Sequence, residues 1–265
     1  MSIRLVAIDL DYTLLNEKLE IPDVARDAIQ AAVKRGTTIT LASGRMYRST
    51  VRFAEELGLD APLITYNGAM TKSSRSRQLY HHLPVPIDLA LGVVEYAQQE
   101  DIHINVYLDD NLYVKELSPE ATGYATRSGV EAIPVGDLTR FLQADPTKLL
   151  FVADEKVINK HIPIVKERFG EQLNVVRSMP IYIEVTNKGV SKGTALKALA
   201  AQLGISREEV LAIGDSENDL DMIKYAGTGV AVANALDIVK DEANYVTSHP
   251  NGRGVAEAFD KFVLH

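Results

Sequence analysis

Two stretches far apart in the chain follow the same order of parts, short apolar strand then amphipathic helix with brief joints, and the stretch between them does not. In the first, residues 3–9 form a continuous apolar run and 22–35 carry helical spacing (Val24, Ala28, Ala31, Ala32) closed by Gly36. A β-branched strand "TTITLAS" at 37–43, a helix over 46–57 and a strand "LITY" at 63–66 follow. Strands apolar on both faces and separated by helices imply a parallel sheet covered on both sides by crossover helices. The same order returns late, as a helix over 191–203, "VLAIGD" at 210–215, a helix over 218–225 and "GVAVA" at 229–233.

Between "HHLPVPID" (81–88) and "IEVTNKG" (183–189) the strands are isolated and amphipathic, mixed with helices near 87–100, 119–128 and 157–169. Pro84 and Pro86 punctuate the entrance, Asn187 and Gly189 the exit. The expected architecture is α/β: a doubly wound, Rossmann-like parallel-sheet core from residues 1–82 and 188–265, with an inserted α+β domain over 83–187. The segment "TKSSRSRQ" (71–78) reads as an exposed hairpin tip, with Lys72, Arg75 and Arg77 in a solvated loop.

Composition narrows the function classes. Lys and Arg total 28 against 36 Asp and Glu, a net charge of -8 that offers no general footprint for a nucleic-acid backbone. The absence of cysteine removes disulfides, thiolate metal sites and thiol catalysis together, and fits a reducing cytoplasm. No stretch approaches the roughly 20 apolar residues of a membrane span, and the N-terminal apolar run is too short for a signal-peptide core. The expectation is a cytoplasmic protein with neither nucleic-acid nor membrane partners.

In open α/β sheets ligands collect at the carboxyl ends of the strands. There the chain delivers Asp9 and Asp11; Ser43, Gly44 and Arg45; and Asp215 with Glu217, Asn218 and Asp219, while Ser191 and Lys192 open a helix. Taken singly, each has a structural reading: a polar strand end for "DLD", helix caps for Ser43 and "GDSEND", a solvated lysine for Lys192, a carboxylate partner for Arg45. Jointly they read differently. Several carboxylates in one crevice repel one another unless a cation neutralises them, and an all-oxygen set without histidine or cysteine suits Mg²⁺. A hydroxyl and a glycine amide at a helix start can hold a phosphate, and a bound anion offsets a lysine placed against the helix dipole. The six histidines show no metal-ligand spacing, and no GxxxxGK[ST] loop or complete GxGxxG is present.

The motifs "DLDYT", "SGR", the lysine of "GVSKGTAL" and "IGDSENDLDM" resemble, in order, the four signatures of the haloacid dehalogenase superfamily. "ITYNGA" (64–69) and "GVAVANALDIVKDEANYVT" (229–247) resemble its Cof-type sugar-phosphatase branch. The resemblance implies a Mg²⁺-dependent phosphatase of small phosphorylated metabolites, sugar phosphates first, with the insert as a cap that closes over the core. Asp9 would be the nucleophile that forms an aspartyl-phosphate, and Asp11 the general acid and base. The metal would be held by Asp9, the main-chain carbonyl of Asp11 and Asp215, with Asp219 in direct or indirect support. The Leu10 amide, Ser43, Gly44, Lys192 and Asn218 would bind the phosphoryl oxygens, and Arg45 and Asn67 are further candidates for substrate contact. Tyr12 departs from the glycine that many members carry, and its bulk narrows the site entrance. A monomer or weak homo-oligomer is expected. The alternatives are a phosphomutase or phosphotransferase on the same scaffold, and a non-enzymatic phospho-receiver or phosphate-binding module.

Overall fold

The computed structural model describes residues 2–265. The chain opens with β1 (Leu5–Ile8), α1 (Asp23–Lys34), β2 (Thr38–Leu41), α2 (Tyr47–Glu56), β3 (Pro62–Thr65), β4 (Met70–Ser73) and β5 (Leu79–His82). It continues with α3 (Ile87–Gln99), β6 (His103–Leu108), β7 (Asn111–Val114), α4 (Pro119–Ser128), β8 (Ala132–Pro134), α5 (Leu138–Phe141), β9 (Lys148–Val152), α6 (Glu155–Phe169), β10 (Leu173–Met179) and β11 (Tyr182–Asn187). The last part is α7 (Lys192–Gln202), β12 (Val210–Gly214), α8 (Leu220–Tyr225), β13 (Thr228–Ala231), α9 (Asp237–Glu242), β14 (Tyr245–Val246) and α10 (Asn251–Phe262). Contacts divide the chain into two units, Met1–His81 with Ser191–His265, and His82–Val190.

In the first unit a five-stranded sheet runs β14-β13-β12-β1-β2 with every pairing parallel. Strands β1 and β12 lie side by side at its centre, Leu5 to Ile8 opposite Val210 to Ile213, and every one of these eight side chains is fully buried. That explains their unbroken apolar runs: a central parallel strand has no solvent face. Leu196, Leu199 and Ala200 of α7 pack on one side of the sheet against Leu5, Ala7, Val210 and Ala212.

The strand at 62–65 adds an antiparallel partner to the expected parallel one. β3 begins with Pro62, which has no amide to donate; it lies parallel to the end of β2 through an Ala42–Ile64 bridge, and the Thr40 hydroxyl donates to the Pro62 carbonyl at 2.7 Å, but the parallel ladder extends no further. It pairs antiparallel with β4 in a separate sheet, β3-β4-β5. The 71–78 segment is accordingly corrected: Thr71, Ser73 and Ser74 are buried, and only 75–78 form an exposed turn. Arg75 and Arg77 lie in that exposed turn as expected, but Lys72 belongs to β4 and not to a loop. Lys72 Nζ lies 4.8 Å from the centroid of the Tyr47 ring, and Arg77 donates to the Tyr47 hydroxyl at 2.6 Å.

The second unit is a six-stranded sheet, β10-β11-β9-β6-β7-β8, with its own apolar core. Alternation along its strands explains the amphipathic pattern. Ile104, Val106, Leu149, Phe151, Ile183 and Val185 join the core with Val93, Val94 and Ile158 of the helices, while Asn105, Tyr107, Lys148 and Glu184 occupy the other parity. No helix among the described residues is long and apolar enough to cross a membrane.

Candidate active site

The site is assembled where β1 and β12 end. Asp9 donates its amide to the Ile213 carbonyl at 3.0 Å, which continues the sheet by one residue. The chain then makes a wide turn in which the Leu14 and Leu15 amides donate back to the Asp9 and Leu10 carbonyls, at 3.2 and 2.8 Å. Tyr12 sits in this turn at φ 63° and is 58% exposed, while the Leu10 side chain is fully buried, so only the backbone of Leu10 is available to a ligand. Asn234 fixes the turn from outside, donating to the Tyr12 carbonyl at 2.8 Å.

Lys192, the first residue of α7, is fully buried and bridges Asp9 Oδ1 and Asp219 Oδ1, each at 2.6 Å. A lysine here opposes the helix dipole, a cost of about 0.3–1 kcal/mol. Two carboxylates at contact distance exceed that easily. The other oxygen of Asp219 accepts the Asp215 and Ser216 amides, both at 3.0 Å. This needs Gly214, since a Cβ there would lie 2.5 Å from Asp219 Cβ. Asp215 accepts the Thr13 and Ser216 hydroxyls at 2.7 Å, one on each oxygen.

Asp9, Asp215 and Asp219 are buried, and one oxygen from each lies within 4.8 Å of the others. Three carboxylates against one ammonium leave two negative charges out of water. Burial raises the Asp9 carboxyl well above its usual value; Lys192 opposes this, and Asp219, Asp215 and Asp11 add to it. Burial and Asp219 likewise raise Asp215. For Lys192, burial alone would lower the pKa, but Asp219 and Asp9 outweigh it and hold the ammonium above its ordinary value. The oxygen-only donor set and the surplus of two charges both fit a hard divalent cation.

Around this cluster stand the other sequence candidates. Asp11 is held by Arg45, Nη2 donating to Oδ1 at 2.6 Å and Nε to Oδ2 at 2.7 Å. Of the two readings of Arg45, the carboxylate partner is the contact present. Ser43 is buried and accepts the Arg45 amide at 3.1 Å, while Met46 takes the cap position of α2. Asn67, at φ 56°, donates its amide to the Ser43 carbonyl at 3.0 Å, and its Oδ1 accepts from Asn218 Nδ2 at 2.9 Å. A Cβ on Gly44 would lie 2.9 Å from that same Oδ1, so the glycine is what lets Asn67 approach. Glu217 is exposed.

Sequence reasoning assigned no role to Thr13 or Ser216, although both orient Asp215. Thr13 lay inside the quoted "DLDYT", and Ser216 with Asp219 has the spacing of a capping box, which the turn adopts.

Comparison with known proteins agrees with this arrangement over nearly the whole chain. Residues 6–259 match the sequence profile of haloacid dehalogenase-like hydrolases. The phosphatase YwpJ of Bacillus subtilis (strain 168) is 31% identical, covering 96% of this chain and 97% of its own. From the same organism, the 5-amino-6-(5-phospho-D-ribitylamino)uracil phosphatase YcsE is 32% identical, covering 100% and 97%. The crystal structure of a haloacid dehalogenase-like hydrolase from Bacteroides thetaiotaomicron superposes with a TM-score of 0.91 at 31% identity, over 98% of this chain and 99% of the other. With its parallel core sheet and buried acidic triad, the chain belongs to the haloacid dehalogenase-like hydrolases, in their Cof-type branch.

Proposed function

We propose that this hydrolase is a Mg²⁺-dependent phosphatase of small phosphorylated metabolites, sugar and sugar-alcohol phosphates first, acting through an aspartyl-phosphate on Asp9. The observation that carries the reading is the buried cluster of Asp9, Asp215 and Asp219 around Lys192, with two uncompensated negative charges. YcsE, whose named substrate carries its phosphate on a ribityl chain, supports the substrate class.

In the first half-reaction an Asp9 oxygen attacks phosphorus, the bond to the leaving oxygen breaks, and Asp11 gives that oxygen a proton. In the second, Asp11 takes a proton from water, the water oxygen attacks phosphorus, and the bond to Asp9 breaks, freeing inorganic phosphate and the carboxylate. Lys192, the Ser43 hydroxyl, the Gly44 and Leu10 amides and Asn218 hold the phosphoryl oxygens, where preset charge and dipoles do most of the work of such transfers. Asp9, Asp215 and the Asp11 carbonyl, with Asp219 in support, would hold Mg²⁺, which would supply positive charge to keep Asp9 ionised and to stabilise the phosphoryl group. The Asp219 oxygens are engaged by Lys192 and two amides, which favours indirect support. The cap over residues 83–187 selects the leaving group, and the protein works in the cytoplasm as a monomer or weak homo-oligomer.

Phosphate release from a panel of sugar phosphates tests the reading. Asp9→Asn is expected to lower it by about a thousandfold or more, and chelation to abolish it until Mg²⁺ is restored. Undiminished release by Asp9→Asn would overturn the mechanism, and return of the phosphate to the substrate instead of water would make the enzyme a mutase.

A further inference from the structure

Both oxygens of Asp11 are gripped by a single group, the planar guanidinium of Arg45, at 2.6 and 2.7 Å. Of the two partners the arginine is the better fixed: its side chain is 13% exposed against 36% for Asp11. Its backbone is tied at both ends, the amide donating to Ser43 Oγ at 3.1 Å and the carbonyl accepting from the Tyr66 amide at 2.9 Å. The guanidinium also reaches Ser49 Oγ at 3.4 Å and lies 5.6 Å from the Phe53 ring centroid. Asp11 sits in the wide turn beside the exposed Tyr12. The carboxylate is therefore docked on a frame set by the loop after β2, not the reverse.

We propose that Arg45 is the positioning residue of Asp11, its fork aiming the carboxylate that exchanges protons with the leaving group and with water, and not a residue that grips the substrate. The inference rests on Asp11 being the proton donor of the proposed reaction. A donor acts only within hydrogen-bond reach of the leaving oxygen, so a carboxylate free to change rotamer loses rate. The fork occupies one acceptor site on each oxygen and leaves the other for the transferred proton. A planar two-bond grip sets direction, which a lysine, as a point charge, reproduces only in part.

The test is kcat/KM over a series of phosphate esters, from p-nitrophenyl phosphate, whose leaving group departs without a proton, to alkyl phosphates, which need one. Arg45→Met is expected to lower kcat/KM by about a hundredfold on the alkyl esters, within the usual range for a lost general acid. On p-nitrophenyl phosphate the loss stays under about threefold, so the dependence on leaving-group pKa steepens. Arg45→Lys, which preserves the charge if the methionine variant fails to fold, falls between wild type and Arg45→Met in that slope. In an Asp11→Asn background, Arg45→Met adds no further loss on the alkyl esters, because the two residues act as one unit. Equal losses across the whole series would overturn the proposal in favour of substrate binding, and an Asp11→Asn enzyme with the wild-type slope would remove Asp11 as donor and the proposal with it. Activity retained in Asp9→Asn, by contrast, would count against the phosphatase mechanism itself.

Discussion

Lys192→Met tests whether the acidic cluster is organised by charge. The substitution keeps the stem volume and removes an ammonium that makes two 2.6 Å contacts with Asp9 and Asp219. Removing one side of a buried ion pair costs about 3–5 kcal/mol, while relief of a cation from the start of α7 returns only about 0.3–1 kcal/mol. The net expectation is a loss of roughly 3–4 kcal/mol in metal-free buffer. The loss depends on pH with a definite sign. Asp9 is already raised above its ordinary 3.8, so the folded state holds a proton that the unfolded state has released, and stability falls as pH climbs through that window. Without Lys192 the window moves upward, so the penalty measured by urea denaturation in EDTA is larger at pH 8 than at pH 5. Excess Mg²⁺ restores part of the stability, because a cation among the three carboxylates replaces the positive charge lost with Lys192, but phosphate release stays low. A loss below about 1 kcal/mol at pH 8, or a penalty that does not change with pH, would refute the reasoning.

Two further outcomes follow from groups outside the acidic cluster. Burial alone would raise the Glu257 carboxyl, but the Tyr245 hydroxyl, the Ser248 amide and His249 outweigh it and pull it from 4.5 down to about 2. A depressed acid stabilises above its unfolded value, so Glu257 contributes roughly 2–3 kcal/mol at neutral pH, lost as pH falls from 4.5 toward 2; urea midpoints of Glu257→Gln and wild type should therefore converge in acid. Tyr12→Gly should raise the melting temperature, since a tyrosine at φ 63° is strained by about 1–3 kcal/mol and its exposed ring contributes little packing.

The central strands were legible because burial on both faces leaves no room for polar residues, and the two halves of the core announced themselves by the same rule. The antiparallel pairing of β3 was not, because an apolar four-residue run does not say which neighbours it takes; Pro62 was the available hint. Among candidate site residues, those at strand ends could be listed because an open α/β sheet presents ligands there. Their partnerships could not. That Arg45 reaches Asp11, that Asn67 covers Gly44 and that Thr13 orients Asp215 are pairings between segments, and local pattern carries no information on them. Asn67 and Tyr66 both adopt left-handed backbone, which an asparagine signals and a buried tyrosine does not.

The contact between Lys192 and Asp9 joins residues 183 positions apart. Closing a loop of that length from an open chain costs roughly 4–5 kcal/mol in entropy by the logarithmic rule, and nothing local helps to form it. The intervening residues 82–190 hold an apolar core of their own, and once they fold the two ends are no longer free coil. During refolding, activity should therefore appear after most of the secondary structure has formed, because the acidic cluster waits on contacts between segments this far apart, the Thr13–Asp215 bond across 202 positions among them. On the proposed mechanism, turnover would report that both halves of the core have come together, and a truncated product ending before residue 192 would keep Asp9 without the ammonium that bridges it to Asp219.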